Sequence, residues 1–173
     1  MSDAIHEIVG NNGNVTKIYY DTDCNNPRND ENLFNMVFFH KNKSIGDNHD
    51  FDCPEDYETF EKENKDIVSL PVYAYQHGGI SLSLSPFSCP WDSGKIGYIY
   101  ITKDKISENN IDLANLLKYA SSELEVYSQW LNGEVYGYKI FSGSGEELDS
   151  CWGFIGDWET SGLMETAGCH KAL

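Results

Sequence analysis

No stretch of the chain approaches the roughly 18 apolar residues that a membrane-spanning helix requires, and the N-terminus lacks the basic-then-apolar pattern of a secretory signal. The expectation is a soluble protein of the cell interior, in the cytosol. Cysteine is sparse as well: Cys24, Cys53, Cys89, Cys151 and Cys169 are widely spaced, with no C-x-x-C pair. That spacing speaks against a disulfide framework and against a zinc knuckle, so reduced thiols are expected. Basic residues are the scarcest class of all, 12 Lys and Arg against 28 Asp and Glu, for a formal charge of -16 and a sequence pI near 4.4. Such a surface repels phosphate backbones and excludes sequence-reading of DNA or RNA, while attracting a partner with a basic channel. The same charge also serves plain solubility.

Motifs that carry a mechanism are missing too. The loop Asp21 to Asn32 gathers Asp21, Asp23 and Asp30 but has neither the glycine nor the terminal glutamate of an EF-hand, so turn chemistry is the better reading. In the polar loop after His40, the residues Asp47, His49 and Asp50 fit solvated loop chemistry better than a transition-metal site. No metal and no cofactor is implied.

With 173 residues, 40% of them hydrophobic, the chain suits one globular domain over 1–173, with an arm at 1–14 and a tail or short helix at 158–173. Strands are expected at Val15 to Tyr20, Leu33 to His40, Ile67 to Gln76, Ile80 to Ser85, Gly97 to Ile101 and Glu134 to Ser142, from β-branched and aromatic density or alternation. A long helix is expected from about Asn110 to Asn132, where Leu113, Leu116, Leu117, Ala120, Leu124, Tyr127 and Leu131 form one stripe to lie on a sheet; Gly133 stops it. The class is α+β: a mixed or mainly antiparallel sheet of about six strands, one long helix on a face and one short acidic helix.

That short helix, Pro54 to Lys65, is expected to be capped by Asp52 and to bury little beyond Tyr57 and Phe60. Glu55, Asp56, Glu58, Glu61 and Glu63 cover the rest. It reads either as a solvated face or as a rigid row of carboxylates that imitates phosphates, and these five residues are candidate partner contacts.

Between the two best strand signals runs His77 to Gly97, HGGISLSLSPFSCPWDSGKIG. Gly78-Gly79 predicts a tight hairpin with His77 at its corner. Pro86 and Pro90 end the pairing, leaving Phe87, Cys89 and Trp91 in a loop. His77, Cys89 and Asp92 are suited to proton transfer or nucleophilic attack. They meet only if the loop folds back, because six strand residues span about 20 Å. Otherwise Phe87 and Trp91 plug the sheet end and Asp92 serves a turn. Trp91 is also a candidate partner contact. Farther on, Glu146, Glu147, Asp149, Cys151 and Trp152 pair carboxylates with a thiol and an indole. They form either an acid-guarded edge strand or, if brought beside the Cys89 loop, one pocket of Cys89, Asp92, Asp149 and Cys151 with His77 at its edge.

The succession HGGISLS, SPFSCPWDSGKIGYIYI, a helix ending in NGEVYGY, then GEELDSCWGF resembles a family of small acidic proteins encoded by phages and mobile elements of gut Firmicutes-type bacteria. The likeness covers roughly Leu33 to Gly156 and is most specific over His77 to Gly97 and Gly145 to Phe154. It carries over no catalytic residue. What it implies is a genomic setting in which proteins of this size inhibit bacterial immunity, anti-CRISPR proteins among them. On that expectation the protein is a stoichiometric inhibitor whose acidic surface occupies the basic nucleic-acid-binding channel of a CRISPR effector or other defence nuclease, with no chemistry of its own. The alternative is a small enzyme or ligand-binding protein that acts on a nucleotide-type molecule through His77, Cys89, Asp92 and Asp149.

Overall fold

The computed structural model describes residues 3–41 and 44–169. The class is α+β, with eight strands among the described residues in two antiparallel sheets rather than about six in one. The chain divides into two compact units, residues 27–128 and the flanking segments 1–26 and 129–173.

The flanking unit is a four-stranded sheet ordered β1 (His6–Val9), β2 (Val15–Tyr20), β7 (Val135–Phe141), β8 (Glu147–Ile155). The segment expected to be a loose arm thus supplies β1, paired to β2 with Val9 opposite Val15. Its sequence, HEIV, is too short and too polar to announce a strand; the partner makes it one. Across the sheet, His6, Ile18, Tyr138 and Cys151 fall in one row. That face is closed by the C-terminal segment: Leu163 and Met164 of α4 (Leu163–Thr166), with Ala167, pack on Ile18 and Tyr138, and Trp158 stacks on His6 at 4.8 Å. On the opposite face the Trp152 indole lies over Gly137, where a Cβ would stand 2.2 Å from the ring. Only a residue without a side chain admits that contact.

The inserted unit is ordered β3 (Asn35–Phe38), β6 (Ser93–Thr102), β4 (Ile67–Gln76), β5 (Ile80–Ser83). The β4–β5 hairpin turns at Gly78, whose φ of +74° suits a residue free of a Cβ. One face of this sheet, with Val37 and Tyr98, packs on α1 (Pro54–Glu63): Tyr57 is fully buried, stacks on Tyr98 at 4.3 Å and bonds Ser69 through its hydroxyl at 2.9 Å. The helix is preceded by Cys53, not Asp52, as its cap residue, and Asp56 accepts from the Cys53 N–H at 3.2 Å.

The long helix is divided. α2 (Lys103–Glu108) follows β6 directly, a 3-10 turn covers Leu113–Asn115, and α3 runs Leu116–Leu131. Leu116, Ala120, Leu124 and Tyr127 are buried as the stripe required, whereas Leu113 and Leu117 are exposed. The apolar stripe is wider than the face that packs. The Tyr127 hydroxyl accepts from the Gly46 N–H at 2.8 Å, and Ser128 Oγ accepts from Leu82 N at 3.0 Å, tying the helix to the 44–52 loop and to β5.

Arg28, the only arginine of the sequence, holds the start of this unit. Its side chain is 5% exposed and forks onto both oxygens of Asp47 at 2.8 Å, with further bonds to Glu123 at 2.9 Å and to the Phe34 carbonyl at 2.7 Å. Glu123 in turn accepts from Leu33 N, and Asp47 from Met36 N. Burial works against the guanidinium charge, but hydrogen bonding and attraction from Asp47, then Glu123, outweigh it and raise its pKa.

Candidate functional site

The loop from Leu84 to Asp92 does fold back. β5 ends at Ser83, four residues after the hairpin, and β6 begins at Ser93 opposite Tyr75, so Asp92 lands beside Gln76 and His77. The Gln76 N–H donates to the Asp92 carbonyl at 2.8 Å, and the Ser93 hydroxyl donates to the Cys89 carbonyl. The Phe87 ring packs against Tyr75 at 5.7 Å between centroids. The backbone of this loop is therefore fixed at several points.

Three of the expected chemical residues converge there. Asp92 Oδ2 stands 3.7 Å from His77 Nδ1 and 3.8 Å from Cys89 Sγ. Their order is thiol, carboxylate, imidazole. A cysteine nucleophile requires a base or a cation beside the sulfur; here the Asp92 carboxylate stands between the thiol and the imidazole. His77 is 76% exposed in its side chain, so nothing excludes water from it. Asp149 and Cys151 lie on β8 of the other unit, where Asp149 accepts from the Tyr138 hydroxyl at 3.2 Å. Among the described residues no group of three His, Cys, Asp or Glu is placed to hold a metal ion.

Trp91 does not plug the sheet. It is 91% exposed at the tip of the fixed loop, the most exposed large apolar side chain among those described. An indole represents about 150–250 Å² of surface, worth about 4–6 kcal/mol on burial. Folding leaves that contribution unused here.

The acidic helix does not present five carboxylates in a row. Glu55, Asp56 and Glu63 face solvent, while Glu58 and Glu61 turn toward the body of the unit. Glu58 accepts from the Tyr98 hydroxyl and lies 3.6 Å from Lys95. That hydroxyl, aided by Lys95 and Lys62, lowers the Glu58 pKa below the usual glutamate range. The helical period, 100° per residue, sets this split: Glu61, four after Tyr57, falls on its side of the helix, Glu55, two before it, falls opposite, and Glu58 lies at the flank. Glu146 and Glu147 are exposed at the start of β8, an edge strand, and Glu147 pairs with Lys139 at 2.8 Å.

A second concavity in the inserted unit, about 420 Å³, is lined by Phe39, Lys41, Asn48, His49, Phe51 and Asp52, among others. His49 donates through Nε2 to the Phe38 carbonyl at 3.1 Å, and its rings neighbours are Phe39 at 5.2 Å and Phe51 at 5.8 Å. With the proton on Nε2, Nδ1 is an acceptor, and it is buried without a partner. An orphaned buried acceptor costs about 1–3 kcal/mol. The expectation of solvated loop chemistry fails for two of its residues: Asp47 is held by Arg28, and His49 is turned inward between Phe39 and Phe51, because the loop closes over these rings instead of standing free.

No family model, no curated protein and no solved structure matches the chain. No helix among the described residues is long and apolar enough to cross a membrane.

Proposed function

We propose that the protein is a binding protein of the anti-defence kind, a stoichiometric inhibitor like the anti-CRISPR proteins, that docks in the basic nucleic-acid channel of a CRISPR effector or another defence nuclease. The observation that carries this reading is Trp91, 91% exposed on a loop whose backbone is fixed from several sides. Exposed indoles on pre-ordered loops are the side chains from which interface energy is most often drawn, because little ordering entropy remains to be lost on association. Net charge of -16 supplies the attraction toward a basic cleft and speeds encounter. Docking then uses two separate contributions: carboxylates such as Glu55, Asp56, Glu63, Glu146 and Glu147 steer, and Trp91 anchors.

The enzymatic alternative has the convergence of His77, Asp92 and Cys89 in its favour, and the sequence of those groups against it. A titration of the protein against a panel of purified CRISPR effector nucleases separates the two. Under the docking reading a member of the panel binds and loses nuclease activity in a one-to-one ratio, Trp91→Ala weakens that binding roughly thirtyfold or more, and Cys89→Ser with His77→Gln leaves it unchanged. Substoichiometric, time-dependent inactivation that vanishes with Cys89→Ser overturns it in favour of catalysis.

A further inference from the structure

We propose that β1 is a docking edge, at which an extended, basic segment of a partner protein adds as a further strand of the flanking sheet; this stands whether or not the partner is a nuclease. It follows from comparing the four strands that end the two sheets, β1 and β8 in one, β3 and β5 in the other. In an antiparallel ladder alternate residues of an end strand turn their N–H and C=O outward. At three of these edges the chain covers such groups itself. On β3, the Met36 N–H donates to Asp47 and the Met36 carbonyl accepts from the Asp47 N–H, both at 2.8 Å, while the Phe38 carbonyl meets His49. On β5, the Leu82 N–H donates to Ser128 Oγ at 3.0 Å. β8 is broken by two register shifts, and its Ser150 N–H donates to Asp149 Oδ1 at 2.9 Å.

β1 has no such cover. The Gly10 N–H donates to the Asn14 carbonyl at 2.8 Å, and with Val9 opposite Val15 this turns His6 and Ile8 toward β2 and Glu7 and Val9 outward. Among the described residues nothing bonds the N–H or C=O of Glu7 or Val9. The strand also has no proline and no register shift to blunt it. Four residues is short, but β3 and β5 are as short and are covered all the same. Two donors and two acceptors, on residues ~7 Å apart, are what an added strand pairs with. The side chains alongside say which strand. Val9 is 72% exposed, Glu7 shares its face, and Ile8 lies on the other, as does His6, on which Trp158 stacks. Glu7 holds Lys17 through Oε1 alone, so its second oxygen is open to another cation. A formal charge of -16 attracts a basic segment, repels an acidic one and opposes a second copy of this chain at the same edge.

The probe is the hexapeptide acetyl-Lys-Val-Lys-Val-Lys-Val-amide, titrated into the full-length protein, with backbone amide shifts and amide exchange followed by NMR. The expected result is saturable shifts centred on β1, with exchange of the Glu7 and Val9 amides slowed about two- to tenfold, the worth of one net hydrogen bond. Exchange at β3, β5 and β8 should not change. Of two versions of the peptide methylated at alternate backbone nitrogens, one should lose this binding and the other keep it, since a single row of N–H groups faces β1. A counterpart with Glu in place of Lys should leave both amides unprotected. Val9→Lys, at an exposed position where folding is retained, should weaken the basic peptide about two- to fivefold. Shifts that never saturate, protection at another edge, equal effects of the two methylations, or binding of the acidic peptide as tight as that of the basic one overturns the assignment. So does protection of Glu7 and Val9 that grows with protein concentration alone, which makes a second copy the occupant.

Discussion

Arg28 and Asp47 lie 19 positions apart and meet through two parallel 2.8 Å hydrogen bonds in the interior of the inserted unit. Because the guanidinium also holds Glu123 of α3 and the Phe34 carbonyl, one side chain fixes the entry to β3, the 44–52 loop and the long helix. Removing one partner of a buried pair strands the other charge. Arg28→Met is expected to cost about 3–5 kcal/mol, read as a fall in the urea midpoint at unchanged slope. Arg28→Lys, which keeps the charge but loses the fork, should recover only part of it.

Trp91 behaves in the opposite way. Trp91→Ala is expected to change stability by less than about 0.5 kcal/mol, as for an exposed site without partners. The same substitution should weaken partner binding by about 2 kcal/mol or more, roughly thirtyfold. Thermal unfolding and a binding titration on the same sample check the pair of outcomes.

Steering by carboxylates predicts a salt response. Association with the nuclease should slow steeply between low and physiological ionic strength, as the Debye length contracts to about 8 Å, while dissociation changes little. Stopped-flow measurement over a salt series reads it, and an association rate flat across the series counts against the charge argument.

Gly137 gives a packing prediction. Gly137→Ala places a methyl 2.2 Å from the Trp152 ring, so the indole must leave the sheet face. A loss of about 1–3 kcal/mol is expected, together with a red shift of tryptophan emission that Gly143→Ala, where the nearest atom is at 3.5 Å, does not produce.

Glu58 sets a direction in pH. Its pKa in the folded protein is depressed, chiefly by the Tyr98 hydroxyl. The contribution is therefore present above the ordinary glutamate value of 4.5 and is lost as pH falls below it through the folded value. Glu58→Gln should flatten the acid limb of the stability profile in that window, because it removes the contribution present at neutral pH and leaves the low-pH end nearly unchanged, as followed by urea unfolding at each pH.

The local features were legible because local rules determine them. The β4–β5 hairpin follows from Gly78-Gly79, β2 and β7 from their β-branched and aromatic runs, and the end of α3 from Gly133, whose N–H bonds the Trp130 carbonyl at 3.0 Å. What was not legible depends on long-range pairing. β2 joins β7 with Val15 opposite Phe141, and no pattern in either strand names the other, so two sheets read as one. β8 showed itself as an edge strand through its acidic start at Glu146 and Glu147, although register shifts at two places break its alternation. The nearness of His77 to Asp92 rests on the register of β4 against β6, which places Tyr75 opposite Ser93. The Arg28 cluster draws on positions 28, 47 and 123, and a lone arginine in an acidic chain was the one hint.

The insertion between β2 and β7 bears on biosynthesis. As the chain leaves the ribosome, the β1–β2 hairpin emerges ahead of the inserted unit and stays without its neighbour until more than a hundred further residues have been made. The inserted unit has all its strands in hand before β7 appears, so it is free to fold during translation, whereas the flanking sheet closes only once β7 has been made. Pauses or truncations before β7 would then leave the β2 edge open, and nascent chains stalled there would be the ones prone to aggregate.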